Sequence, residues 1–102
     1  MSVTDIHCLL VRAIKERRYV SFNYQSLDRV VVCALLGRTN EGNLAVRAYQ
    51  IEGKTDSGKL PVWRNFLLSE MNEVSLGERY SYISLPGYLP FDKSFSRIDA
   101  SL

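Results

Sequence analysis

Tyr19-Val20-Ser21-Phe22-Asn23-Tyr24 and, after a break at Gln25 to Asp28, Arg29-Val30-Val31-Val32-Cys33-Ala34-Leu35-Leu36 are the stretch that decides the fold class. The first run alternates. Successive strand side chains point to opposite faces, so Val20, Phe22 and Tyr24 share one side. The second run is continuously apolar from Val30 and reads as a strand buried for most of its length. Two β-type runs separated by a short polar break predict an antiparallel pair.

Working outward, the same period continues. Gly37 to Asn43, with Asn40, Gly42 and Asn43, is a turn cluster. Leu44 to Glu52 reads as a third strand and Gly53 to Lys59 as a polar loop. Val62 to Leu68 reads as a fourth strand, and Met71 to Leu76 as a short fifth that ends at Gly77. On the N-terminal side the period changes to that of a helix. Ile6, Leu9, Leu10, Ala13 and Ile14 form one stripe over residues 4–17, with Ser2 or Thr4 to cap it and Asp5 in its first turn. The tail from Glu78 is different, because the prolines of Pro86-Gly87-Tyr88-Leu89-Pro90 cannot donate to a ladder. Asp92 is read as the cap of a short C-terminal helix on which Phe95, Ile98 and Leu102 share a face. The organisation expected is mainly β with helices (α+β) in a single domain, 1–102. A helix over 4–17 precedes a small five-stranded antiparallel barrel or rolled sheet over 19–76, and 78–102 packs back on it.

A chain of 102 residues with 46% hydrophobic content and eleven aromatic side chains has the material for a core, which excludes disorder. Its longest apolar runs fall far short of the roughly 20 residues that span a bilayer. Neither a secretory leader nor an operator-binding helix-turn-helix is expected, and the two isolated cysteines, Cys8 and Cys33, read as buried thiols of a reducing cytoplasm. With one histidine, His7, and no Cys-x-x-Cys spacing, no metal or other cofactor is expected. The net charge of +2 hides a gradient, because the C-terminal third carries more acids than bases while the first two-thirds carry the basic excess. That permits an anion-binding face, although dedicated DNA-binding domains are far more basic.

Two catalytic readings fail on chemistry. Gly53-Lys54-Thr55-Asp56-Ser57-Gly58-Lys59-Leu60 begins like a phosphate-binding loop, but Leu60 stands where a hydroxyl should hold magnesium, and Pro61 and a β-pattern follow instead of a helix. Lys54 and Lys59 remain able to reach an anion. His7 sits in the first helix with no nucleophile motif to serve, and Glu70, Glu73 and Glu78 suit the solvated ends of a strand. No enzyme is expected.

Cations and aromatics interleave on the strands instead. Alternation puts Arg47 and Tyr49 on one face of the third strand, opposite Val46 and Ala48; Arg64 alternates with Trp63; Arg29 opens the second strand just after Tyr24 closes the first. Arginine presents a planar fork to phosphate or carboxylate, and aromatic rings stack on bases. The same residues also suit half-exposed strand positions that merely pair across a sheet.

The sequence resembles the WYL domain family, in particular its short stand-alone bacterial members. The residues that carry the resemblance are Arg17-Arg18-Tyr19-Val20-Ser21-Phe22-Asn23-Tyr24, Arg29-Val30-Val31, Val46-Arg47-Ala48-Tyr49-Gln50, Ser57-Gly58-Lys59, Trp63-Arg64-Asn65-Phe66 and Gly87-Tyr88-Leu89-Pro90-Phe91-Asp92-Lys93. The chain departs from the larger family members in two places. Leu44-Ala45-Val46 replaces the Trp-Tyr-Leu triplet, and Leu67 and Glu70 replace two arginines. The resemblance implies an Sm-like, SH3-type five-stranded barrel and a regulatory, ligand-sensing role. It further implies that Ser21, Tyr24, Arg29, Arg47, Tyr49 and Arg64 bind an anionic ligand such as a nucleotide or single-stranded nucleic acid. The competing expectation is a protein-interaction or self-assembly module, a homo-oligomer or a regulatory protein's partner, joined through the open edge of the fourth or fifth strand with Trp63 as anchor.

Overall fold

The structure is a computed structural model that describes residues 1–54, 58–81, 83–88 and 92–102. Thr55, Asp56 and Ser57 of the expected polar loop, and Leu89, Pro90 and Phe91 of the tail motif, lie outside the described residues.

Helix α1 (Val3–Glu16) begins at Ser2, whose hydroxyl accepts from the Asp5 amide (3.1 Å) while the Asp5 carboxylate accepts from the Ser2 amide (3.3 Å). This reciprocal box satisfies two amides that the first turn leaves without helical partners. Arg17 ends the helix with a left-handed backbone (φ 54°, ψ 60°) and turns the chain directly into β1 (Arg18–Tyr24). Ile6, Leu10, Ala13 and Ile14 are the buried stripe, with Leu9 packed at its margin. Cys8, expected to be buried, lies on the opposite side of the helix and is exposed; Cys33 is buried, which raises its thiol pKa to about 12.

Strand β2 (Leu27–Thr39) follows a two-residue hairpin turn in which Gln25 and Ser26 both take positive φ (55° and 65°), the requirement of a type I′ turn. Then come β3 (Leu44–Gly53), β4 (Val62–Leu67), the 3₁₀ turn η1 (Leu68–Glu70), β5 (Met71–Arg79) and β6 (Phe95–Ser101). The antiparallel order is β4-β3-β2-β1-β5, so the two outer strands are the ones joined by η1. Four strand spacings would put them about 19 Å apart in a flat sheet, yet a three-residue 3₁₀ turn rises only about 6 Å. The sheet therefore curls until its ends approach. Among the described residues no ladder joins β4 to β5, so it curls without closing.

Curling gives the sheet an inside and an outside. Inside, Val20, Phe22, Tyr24, Val31, Cys33, Ala48, Phe66, Leu68 and Met71 pack against the stripe of α1. Phe22, Tyr24 and Phe66 meet edge to face at centroid distances of 5.0–6.2 Å, each pair worth about 0.5–1.5 kcal/mol beyond its buried area. Outside, Val32, Tyr49 and Tyr80 form a second cluster with Trp63, Ile83, Leu85 and Leu102 at its edge.

The short C-terminal helix expected after Asp92 is a strand. Strand β1 pairs with β2 only over Leu27–Val31, which leaves the Leu35–Thr39 half of the same edge open, and β6 fills it. A vacancy made by strands far away in sequence overrides the local 3.6-residue spacing of Phe95, Ile98 and Leu102. Asp92 still caps, but caps a turn: its carboxylate accepts from the amide (2.8 Å) and the hydroxyl of Ser94. Strand β5 likewise runs past its expected end. Gly77 sits in a bulge of β5, where Gly77 and Glu78 face the single residue Tyr19 between the Arg18/Arg79 and Val20/Leu76 pairs, and a Cβ on it would lie 3.2 Å from the Tyr19 carbonyl.

Gly37 is what admits β6. A Cβ there would stand 1.9 Å from the Arg97 carbonyl oxygen, which belongs to backbone and has no rotamer to yield. Gly37→Ala is expected to lower the unfolding free energy by about 1–3 kcal/mol and to increase amide exchange along 95–101, read by urea denaturation and hydrogen exchange. A variant as stable and as protected as the parent would contradict this packing.

Candidate functional site

The curled sheet divides the predicted ligand residues between its two faces. Arg29 is inside and 1% exposed. Its guanidinium lies 5.5 Å from the ring centroids of both Tyr24 and Phe66, and donates to the Gln50 side-chain oxygen and the Tyr24 carbonyl, each at 3.3 Å. Gln50, also buried, donates in turn to the carbonyls of Glu52 (3.2 Å) and Lys54 (3.0 Å). Tyr24 is buried too, and its hydroxyl accepts from the Leu67 amide (3.2 Å), tying β1 to the end of β4. Arg64, in register with Ala48, shares this inner face and lies 5.6 Å from the Phe66 ring. Tyr24, Arg29 and Arg64 thus surround Phe66 at one end of the core. A desolvated cation over aromatic rings is worth up to about 2 kcal/mol, and there it serves packing.

Ser21 is not part of the cluster around Phe66 and meets Arg29 only across a cleft. Its hydroxyl is 2.8 Å from that of Ser75 on β5. It borders a 340 Å³ cleft lined also by Arg29, whose side chain is almost wholly buried, and by Asp28, Glu52 and Glu73. Three carboxylates around one small cleft oppose the approach of an anion.

Arg47 and Tyr49 stay together, outside. Register places Arg47 opposite Asn65 and Tyr49 opposite Trp63, so β3 and β4 present these four side chains on one surface. Tyr49 packs on Trp63 (4.9 Å between centroids), and the Arg47 guanidinium lies 5.2 Å from the Trp63 ring. The chain's own C-terminal segment then covers them. Leu85-Pro86-Gly87-Tyr88 forms a turn closed by the Tyr88 amide on the Leu85 carbonyl (3.1 Å), with Pro86 and Gly87 (φ 79°) in the two central positions of a type II pattern. The turn lays the Tyr88 ring on Trp63 (6.2 Å, planes 22° apart) and offers the Pro86 carbonyl to the indole N–H (2.6 Å). A few residues on, the Asp92 carboxylate reaches Arg47 Nε at 3.2 Å. Arg47 also donates to Asn65 (3.1 Å), which donates to the Ser94 hydroxyl (3.2 Å). The Ser94 hydroxyl, opposed by partial burial and reinforced by the Ser94 amide and by Arg47, holds the Asp92 carboxyl below its usual range.

Trp63, Asn65, Tyr88, Asp92 and Ser94 were not among the residues predicted to bind ligand. Trp63 and Asn65 are legible in retrospect, because antiparallel alternation sets them on the face of Tyr49 and Arg47. The contribution of Tyr88 and Asp92 depends on where the tail returns, and no local period encodes that. Among the described residues, no group of three or more His, Cys, Asp or Glu side chains is placed to hold a metal ion, and no helix is long and apolar enough to cross a membrane.

The two arginine environments predict losses of different size. Arg29→Ala opens a cavity among rings and strips partners from buried polar groups, with an expected cost of about 2–4 kcal/mol. Arg47→Ala loses a half-exposed ion pair and is expected to cost under about 1 kcal/mol. Urea denaturation followed by far-UV circular dichroism measures both, and equal losses would contradict the division. A scan of protein-family models found no match, and searches of curated proteins and of solved structures found none either.

Proposed function

We propose that this chain is a WYL-like, non-catalytic regulatory module that seats an anionic ligand, a nucleotide or short single-stranded nucleic acid, on Arg47, Tyr49 and Trp63. Its architecture is read as an Sm-like, SH3-type barrel. Support for that comes from the N-terminal helix, the order β4-β3-β2-β1-β5 and the 3₁₀ link between the outermost strands. Of the six residues that the resemblance implied, Arg47 and Tyr49 carry the proposed site, while Tyr24 and Arg29 support it from the core.

One observation carries the reading. The tail supplies Arg47 with a carboxylate and Trp63 with a parallel ring, the two contacts that a phosphate and a base would make. Asp92 and Tyr88 act as an internal stand-in that a ligand displaces. The ligand-free surface is thereby covered and its cation paired, and the positions of Tyr88 and Asp92 report whether the seat is taken.

Binding of a fluorescent single-stranded oligonucleotide, DNA and RNA in parallel, tests this across a salt series. Saturable binding that weakens steeply with salt is expected from counterion release. Asp92→Asn removes the competing carboxylate and should tighten binding several-fold, whereas Arg47→Ala should weaken it about tenfold. Equal binding by all three proteins, or no binding by either wild type or Asp92→Asn at low salt, would contradict the reading.

A further inference from the structure

A second cationic site lies on the other face of the sheet, in a groove of 680 Å³ between the first turns of α1 and the edge of the sheet. Its floor is a row across three strands. Leu44 of β3 is in register with Arg38 of β2, which is in register with Arg97 of β6. Directly opposed residues in a ladder project to the same side with Cβ atoms about 4.5–5.5 Å apart, and like charges so placed repel. The fold therefore roots two arginine side chains next to each other, at a cost, in this groove.

Their surroundings relieve that repulsion only in part. Among the described residues the Arg38 side chain donates one hydrogen bond, to the Gly42 carbonyl (2.6 Å). Arg97, whose side chain is 55% exposed, forks onto Asp99 (2.7 and 3.1 Å). The same carboxylate meets His7 Nε2 at 3.0 Å. One acidic side chain thus serves two partners, and Arg38 is not among them. Thr4 and His7, in the first two turns of α1, bring the positive end of the helix dipole to the same groove. Leu44 and Ile98 add an apolar wall beside the cations.

We propose that this groove binds a phosphate monoester carrying a planar or apolar body. Arg38 and Arg97 clamp the phosphate, with His7 and the first turn of α1 adding donors and positive potential, and the body lies on Leu44 and Ile98. A tetrahedral dianion neutralises both guanidiniums at once, which the single Asp99 carboxylate does not. The volume suits a small phosphorylated molecule. This site shares no residue with the Arg47 face and does not rest on the function proposed for it.

The test is an ¹⁵N-correlation NMR titration of the full chain with adenosine 5′-monophosphate, inorganic phosphate and adenosine. The monophosphate, and more weakly inorganic phosphate, should shift the amides of His7, Arg38, Arg97 and Ile98, while adenosine leaves them in place. Arg38→Gln should weaken monophosphate binding about tenfold or more. Arg97→Gln, at an exposed side chain and safe for folding, should do the same. Asp99→Asn, which frees Arg97, should tighten it several-fold. Shifts confined to Arg47 and Trp63, no shifts at all, or affinity unchanged in Arg97→Gln would each overturn the proposal.

Discussion

A three-residue turn, Leu68–Glu70, joins the two strands that stand at opposite ends of the sheet order, and the rest of the molecule follows from that tether. A flat sheet cannot satisfy it. Once the sheet curls, one face converges and must be filled with apolar volume, and the other diverges and must be covered or wetted. The aromatic cluster of Phe22, Tyr24 and Phe66 fills the converging face together with one stripe of α1. The diverging face is covered by the chain after Arg79, which returns across Trp63 and ends as β6 on the free half of β2.

The curl also decides what each arginine does. Arg29 and Arg47 look alike in sequence, each on a strand near a tyrosine, but they sit in media of different dielectric. Inside, Arg29 is held by two rings, an amide side chain and a carbonyl, and works as a structural cross-brace at the end of the core. Outside, Arg47 keeps a quarter of its side chain exposed and pairs with a carboxylate from a segment distant in sequence. Interactions of the second kind are cheap to exchange for an external anion. That is why the proposed ligand seat is assigned to Arg47 and not to the more deeply enclosed Arg29.

Much of this was legible in the sequence where the signal is local. The helix, its Ser2 cap and its buried stripe follow from spacing, and five strands follow from alternation and turn residues. Arg47 and Tyr49 are on one face because a strand has period two. What was not legible is what depends on distant edges. Gly37 reads locally as the start of a turn, but it lies mid-strand and is glycine because the backbone of β6 passes against it. Residues 95–102 carry a helical spacing, but an open strand edge captures them. Cys8 precedes Leu9 and Leu10 in an apolar stretch and yet lies on the far side of the helix from the core. Arg64 adjoins Trp63 in sequence and is separated from it by the thickness of the sheet, so the six predicted ligand residues do not converge.

The proposed function requires the tail to stand in for a ligand at Arg47 and Trp63. Trp63 is the only tryptophan in the chain, which makes its fluorescence a direct reporter of that face. The decisive measurement is quenching of Trp63 emission by iodide, an anion drawn to Arg47, in the wild type and in Asp92→Asn and Tyr88→Ala. Weak quenching is expected in the wild type and a clear rise in both variants, as the carboxylate that repels iodide or the ring that covers the indole is lost. Quenching as strong in the wild type as in both variants would show that the tail does not cover the face, and would contradict the account.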